Sequence, residues 1–438
     1  MSTLPSSTLT VIGLLFSLAS LAGLVWAPFP ISRARQAQSN CSSTQAIDSA
    51  IVRASGRGCL SSTGRPYLWA LIGNDTTHLR VDRTAGATTK VFRLDWRLFE
   101  PDEHSVDAAY VAETRAELAR LRVAGFKIII ELGIQDTPSW LHDYYADSYY
   151  VDQYGDRYDG GGVIDSGDAN LVFSPVLRAL AAAYMHTVFA LFGTDFLAVR
   201  LGGGHWGELT FPTQNYHGHT NCYWAFDHNA LEHSPTPHWR PGQSSPHHAD
   251  AYNFVNWYLD ALVDFQNWQI RTIRRDYAGS LMVLYPGWGV RPSQVGSAIS
   301  EDLAGNTDAE KTGELQTGHD FARQIQAVAD NNVIVTTTWL DADATHDGGA
   351  NQISWSPIKY LSSLATANPL QLHRFGENTG QGTKDAMIFS ALQMRRYRLI
   401  GMAWYSETQL GSGHFATLDD YRAVISATRA ANGARQQP

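Results

Sequence analysis

Cysteine is nearly absent: Cys41, Cys59 and Cys222 are the only three in a chain of 438 residues. So few thiols exclude the densely cross-linked scaffolds that small exported domains use in place of a core. They leave two readings: a Cys41–Cys59 pair with Cys222 single, or three unpaired thiols. Charge is sparse as well. Charged residues make up 17% of the chain, the formal net charge is -9, and no long run of Lys or Arg occurs. That excludes the electrostatic footprint of a nucleic-acid partner. No G-x-G-x-x-G opens a helix after the first strand-like run, so a dinucleotide site has no support. What the chain does have is apolar material: 44% hydrophobic residues, with 13 Trp and 19 Tyr. Many of the Trp sit beside Gly or at the ends of apolar runs. Roughly half of them read as core filling. The rest are placed to stack on sugar rings, whose apolar C–H faces suit an indole.

The N-terminus carries the one long uncharged run, Leu9 to Ala27. Its length suits a membrane span or the apolar region of a signal peptide. No Lys or Arg precedes it, which is atypical of a signal peptide, whereas "SLA" ending at Ala22 is a passable cleavage site. No Cys follows it directly, which argues against a lipoprotein. Residues 1–27 are therefore expected to be a signal peptide or membrane anchor. The protein is expected to be exported: periplasmic, extracellular or membrane-anchored. Residues 28–65, rich in Ser, Arg, Gly and Gln, read as a linker and lead-in.

From there to residue 438 the pattern alternates. Strand candidates are "KVFRLDW" (Lys90 to Trp96), "FKIIIELGI" (Phe126 to Ile134), "DFLAVRL" (Asp195 to Leu201), "SLMVLY" (Ser280 to Tyr285), "NVIVTTTW" (Asn332 to Trp339), "PLQLHRFGEN" (Pro369 to Asn378) and "LIGMAWY" (Leu399 to Tyr405). Helical patterns separate them, and an eighth strand has room between Gly162 and Phe173. Repeated strand–helix units imply a parallel sheet. Their unbroken run fits a single α/β domain, a (β/α)8 TIM barrel with long loops on its C-terminal face. A doubly wound open sheet is the alternative.

Barrel active sites lie at the C-terminal ends of the strands. Those ends offer Asp95, Trp96, Asp136, Trp206, Glu208, Trp288, Trp339, Glu377, Asn378, Trp404, Tyr405 and Glu407. Glu208 in "GGGHWGELTFP" and Glu377 in "FGENTG" stand out, each just beyond an apolar strand and among glycines that let a ligand come close. Taken alone, either Glu has an alternative account as a structural partner of an Arg. Together, ringed by Trp, they match what glycosidic cleavage needs: one carboxyl to protonate the leaving oxygen, another to attack the anomeric carbon or activate water. Glu208 and Glu377 are the expected catalytic pair. Asp95, Trp96, Asp136, Trp206, Trp288, Trp339, Asn378, Trp404 and Tyr405 are the expected substrate contacts. Trp206 is expected to keep Glu208 partly desolvated and so protonated.

Several motifs carry a resemblance to known families. "RLDWRLFEPDE", "DTPSWLHDYY", "VDQYGDRYDGG" and "FSPVLRALAAAY" come in the order seen in the barrel half of family 42 glycoside hydrolases, the β-galactosidase type. "GGGHWGELTFP" and "FGENTG" are similar to the Gly-Glu-Leu and Glu-Asn stretches of family 14, the β-amylases. The resemblance spans roughly residues 89–410. It implies a barrel with Glu208 after strand 4 and Glu377 ending strand 7. The chain departs from both families. Gly207 stands where family 42 places Asn. "GIQDTPSWL" lacks the β-amylase His-x-Cys-Gly-Gly loop, and "TTTWLDADATHD" stands where β-amylases carry Thr-Cys-x-Glu-Met. Trp404 in "GMAWYSE" resembles the strand-8 Trp of retaining barrels.

A histidine-rich stretch, His205 to His248 with Cys222, raises a metal reading. No second Cys lies close by, so a polar loop over the site is expected instead, with no metal and no cofactor. Three functions follow: a retaining β-glycosidase of β-galactosidase type acting on an oligo- or polysaccharide, an inverting β-amylase-like α-glucan exo-hydrolase, or a non-catalytic glycan-binding barrel.

Overall fold

The computed structural model describes residues 66–160, 167–305, 313–380, 382–413 and 415–433. The leader, the linker, Cys41 and Cys59 lie outside the described residues. Eight parallel strands close into a barrel in chain order: β1 (Leu68–Ile72), β2 (Thr89–Arg93), β3 (Lys127–Glu131), β4 (Ala198–Leu201), β5 (Ser280–Tyr285), β6 (Val333–Thr337), β7 (His373–Glu377) and β8 (Gly401–Tyr405). Closure is made by β1 against β8, with Leu68 opposite Gly401 and Ile72 opposite Tyr405. The fold is the expected (β/α)8 barrel.

One strand is not where the alternation suggested. Residues 167–173 contain no strand; "LWALI" at Leu68–Ile72 supplies it instead, upstream of the first predicted element. Five apolar residues running into Gly73 are enough, because both faces are covered once the barrel closes. The predicted strand from Lys90 stops at Arg93, because the Asp95 side chain accepts from Leu98 N and starts a helical turn at Trp96–Phe99. The return helices have ordinary stops and starts. Ala108–Val123 is capped by Asp107, and Pro175–Phe192 by Ser174 with Pro175 in its first turn. Among the described residues Pro175–Phe192 is the one helix long and apolar enough to cross a membrane; here Leu177, Tyr184 and Val188 bury its inner face.

Strand parity sorts the core into two layers. Ala70, Val91, Ile129, Ala198, Met282, Ile334, Phe375 and Ala403 pack together inside the barrel. Their neighbours Leu71, Phe92, Ile130, Val199, Val283, Val335, Met402 and Trp404 join the larger layer between strands and helices. Side chains alternate with period two. The residues two places beyond the interior layer therefore face the mouth: Arg93, Glu131, Arg200, Glu377 and Tyr405.

Candidate active site

That upper layer is a chain of ion pairs built from four strands. Arg200, on β4 and buried, donates from Nη2 to Glu377 Oε2 at 2.9 Å and sets Nη1 3.2 Å from Glu131 Oε2. Glu131 also accepts from Gln135 Nε2 at 2.9 Å and lies 3.6 Å from Arg93 Nε. Arg93 in turn clasps Asp136, with Nε 3.0 Å from Oδ2 and Nη2 on Oδ1. Burial raises Glu377 above the ordinary carboxylate range, and the Arg200 guanidinium pulls it back. Burial likewise takes Asp136 to about 6 against the pull of Arg93. Arg200 makes its ion pairs with Glu131 and Glu377, and among the described residues Glu208 forms none; the Arg200 charge reaches it only at longer range.

Glu208 follows β4 through Gly202–Gly204 and one tight turn, His205–Gly207. The glycines were expected to admit a ligand. The structure corrects this: their missing side chains make room for the protein itself. A Cβ on Gly202 would lie 2.1 Å from the Gly207 carbonyl oxygen, and one on Gly207 would lie 2.6 Å from Glu131 Oε1. Gly207 also has φ +78°, and Trp206 before it has φ +62°. The loop is folded hard onto β3, which fixes where Glu208 stands. Burial pushes the Glu208 carboxyl up to about 8; the Thr338 hydroxyl and the Arg200 charge oppose the rise, and the charges of Glu377 and Glu314 add to it.

A second buried carboxyl braces this loop. Glu314 accepts from the backbone N–H groups of Trp288 and Gly289 at 3.0 and 3.1 Å, and from His319 Nδ1. His319 Nε2 meets Thr210 Oγ1 at 2.9 Å, two residues beyond Glu208. Burial alone would raise Glu314, but His319 and the two amides outweigh it and hold this carboxyl below its ordinary range.

The predicted contacts divide. Trp206 and Tyr405 are 46% and 43% exposed, and Trp288 and Trp339 are half-buried, each just past a strand end. Asp136 lies in the ion-pair chain. Four expectations are corrected. Trp96 is fully buried, stacked on Tyr184 at 4.9 Å, with its Nε1–H on Glu100. Trp404 is 1% exposed because its parity on β8 turns it to the helices, leaving Tyr405 at the mouth. Asn378 spends its amide on both backbone groups of Tyr405, at 2.6 and 2.8 Å, tying β7 to β8. Asp95 spends its carboxylate as a helix cap and on Arg97, 2.8 Å away. Glu407 is buried against Lys90, which also holds Asp82 at 2.7 Å, and so belongs to the outer layer. Sequence reasoning missed Arg93, Glu131 and Arg200. The signal was present: each is a charge two residues beyond an apolar inward residue, Val91, Ile129 and Ala198. Cys222 is buried and unbridged, and among the described residues no group of three or more His, Cys, Asp or Glu is arranged to hold a metal ion.

No protein-family model and no curated protein matches this sequence. Solved structures do match in fold. The catalytic domain of a β-amylase from Paenibacillus polymyxa superposes with TM-score 0.62 at 15% identity, over 85% of this chain and 99% of that one. A β-galactosidase from the psychrophilic Marinomonas ef1 gives 0.52 at 13%, over 84% of this chain and 59% of that one. One from Bacillus circulans sp. alkalophilus gives 0.54 at 11%, over 84% and 56%. This chain thus spans less than two thirds of either β-galactosidase. At these identities the likenesses establish a shared (β/α)8 barrel fold, and structures of both kinds that the sequence resembles, a β-amylase and β-galactosidases, share it.

Proposed function

We propose that this protein hydrolyses O-glycosidic bonds of an oligo- or polysaccharide, with Glu208 as proton donor and Glu377 as the carboxylate facing the anomeric carbon. One observation carries the reading: two carboxyls at one barrel mouth have opposite surroundings. Glu208 is pushed up to about 8 and forms no ion pair among the described residues, while Glu377 takes a guanidinium N–H from Arg200 at 2.9 Å. Near neutral pH the first holds a proton, while the second has a guanidinium that stabilises its anion against the upward push of burial. That asymmetry is what acid-assisted departure of an alkoxide requires. Glu208 gives its proton to the leaving oxygen as the bond breaks. Positive charge then grows on the ring oxygen and anomeric carbon, opposite Glu377.

In the retaining form of this reading, of β-galactosidase type, Glu377 bonds to the anomeric carbon. Glu208, now ionised, then takes a proton from the water that releases the sugar. Its support is Arg200, which ties down Oε2 and leaves Oε1 for attack. A second reading, inversion of β-amylase type with a water between Glu377 and the sugar, is favoured by the superposition over 99% of a β-amylase catalytic domain. The burial of Trp404 also removes the match to the strand-8 Trp of retaining barrels. A panel of chromogenic α- and β-glycosides and starch, followed by proton NMR of the first-formed anomer, tests both. A retained anomer supports the first and an inverted one the second. Saturable sugar binding with no turnover of any substrate would leave a glycan-binding barrel.

We also propose export or membrane anchoring, supported by the uncharged run Leu9–Ala27. Full-length protein with an intact N-terminus in the soluble cytoplasmic fraction would refute it.

A further inference from the structure

One residue of the Glu208 loop remains without a role. His205 sits beside Trp206, with ring centroids 4.8 Å apart and the rings at 70°. Its Nδ1 is 3.3 Å from the Tyr158 hydroxyl and 3.9 Å from Asp168 Oδ2. Asp168 is 1% exposed, and neither of its carboxyl oxygens has a hydrogen-bond partner among the described residues. An orphaned buried carboxyl is costly and calls for an explanation. Burial raises Asp168 to about 8, with the charge of Asp136 adding and Arg93 opposing, and burial lowers His205 to about 4. Near neutral pH the cluster is therefore an uncharged acid, an uncharged imidazole and a phenol. The Tyr158 O–H, 3.3 Å away, then donates to Nδ1, and the protonated Asp168 carboxyl 3.9 Å from the same nitrogen offers it no acceptor of negative charge, which assigns the imidazole proton to Nε2. Nε2 has no partner among the described residues and is not sealed from solvent, since the His205 side chain is 20% exposed.

We propose that His205 and Trp206 form one sugar-binding platform beside Glu208, in which the indole takes the C–H face of a glycosyl unit and the His205 Nε2–H donates to one of its hydroxyls. Asp168 and Tyr158 are positioning residues: they fix the tautomer and orientation of the ring and do not touch the sugar. This rests on the glycosidase reading and extends it to a residue that neither carboxyl requires.

The test is a calorimetric titration with maltotetraose and with a β-1,4-linked galactotriose, in a Glu208→Gln background that turns substrate over too slowly to deplete it. His205→Ala should weaken binding of whichever sugar binds by about tenfold, the worth of one hydrogen bond. His205→Gln, whose amide reaches the place of Nε2, should recover part of the loss. Tyr158→Phe and Asp168→Asn should each weaken binding about threefold when His205 is present and not at all in the His205→Ala background, because they act through the ring. Tyr158→Phe removes one oxygen and keeps the packing, so it tests the idea even if His205→Ala does not fold. Full-strength binding by folded His205→Ala or Tyr158→Phe overturns this proposal and leaves the glycosidase reading intact. Equal losses from Asp168→Asn in both backgrounds also overturn it. No saturable binding of either sugar by the Glu208→Gln parent overturns the glycosidase reading, and this proposal with it.

Discussion

Replacing Glu208 by Gln should stabilise the protein, and increasingly so as pH rises. The folded carboxyl holds its proton up to about 8, where an unfolded chain releases it near the ordinary 4.5. Between those values the folded state binds one more proton than the unfolded state, so stability falls as pH rises. Below the lower value there is no penalty; above the upper it is constant. Each factor of ten in proton affinity is worth about 1.4 kcal/mol. The cost of carrying Glu208 is then about 1.4 kcal/mol at pH 5.5 and about 4.6 kcal/mol at pH 8.5. The carboxyl is partly reached by water, so the change of roughly 3 kcal/mol across that window is an upper bound. Gln has the same shape and no proton to lose. Asp168 and Glu407, also raised to about 8, slope the same way in both proteins and cancel in the difference. The assay is urea or guanidinium unfolding of wild type and variant at half-unit intervals from pH 5.5 to 8.5. The two curves should diverge by about 2–3 kcal/mol, with Gln the more stable at the alkaline end. Parallel curves would mean that Glu208 is not held protonated by the fold, and the acid role would lose its physical basis.

Arg200→Lys keeps the charge but cannot bridge Glu131 and Glu377 as a planar fork does; kcat/KM should fall by roughly a hundredfold. The acidic limb of the pH–rate profile should move to higher pH, because Glu377 loses the guanidinium that opposes its protonation; an unmoved limb would separate Arg200 from Glu377. Trp206→Ala should raise KM while changing stability by no more than about 0.5 kcal/mol, whereas Trp404→Ala should cost about 3–5 kcal/mol of stability. The reverse pattern by thermal melting and kinetics would contradict the assignment of one to the mouth and the other to the core. Gly207→Ala forces a Cβ to within 2.6 Å of Glu131 at φ +78° and should cost about 1–3 kcal/mol along with activity. An Ala variant as stable and active as wild type would show that the loop is not braced on β3.

The sequence by itself determined the barrel, because that is written in local periodicity: short apolar runs, each followed by an amphipathic helix, repeated along the chain. It also determined Glu208 and Glu377 as candidates, since each is a lone carboxyl in a glycine context at or shortly after a strand end. It did not reveal β1, whose five apolar residues lie in what reads as a lead-in. Part of what was missed was legible. Trp404 and Tyr405 are adjacent on one strand, so only one can face the mouth; that it is Tyr405 follows from Ala403 being in the interior layer. Arg200 and Glu131 sit at alternate positions that count as inward once the strand ends are known. Other features were decided only when the barrel closed. Arg200 and Glu377 are 177 residues apart and meet because β4 and β7 share an interior. The glycines before Glu208 read the same whether they admit a sugar or a neighbouring strand; the space is taken by Glu131 and by the loop's own carbonyls. Whether a carboxyl keeps its proton depends on which cations are already spent on other partners, and that is settled by side chains from distant strands brought within 4 Å, not by its neighbours in the chain.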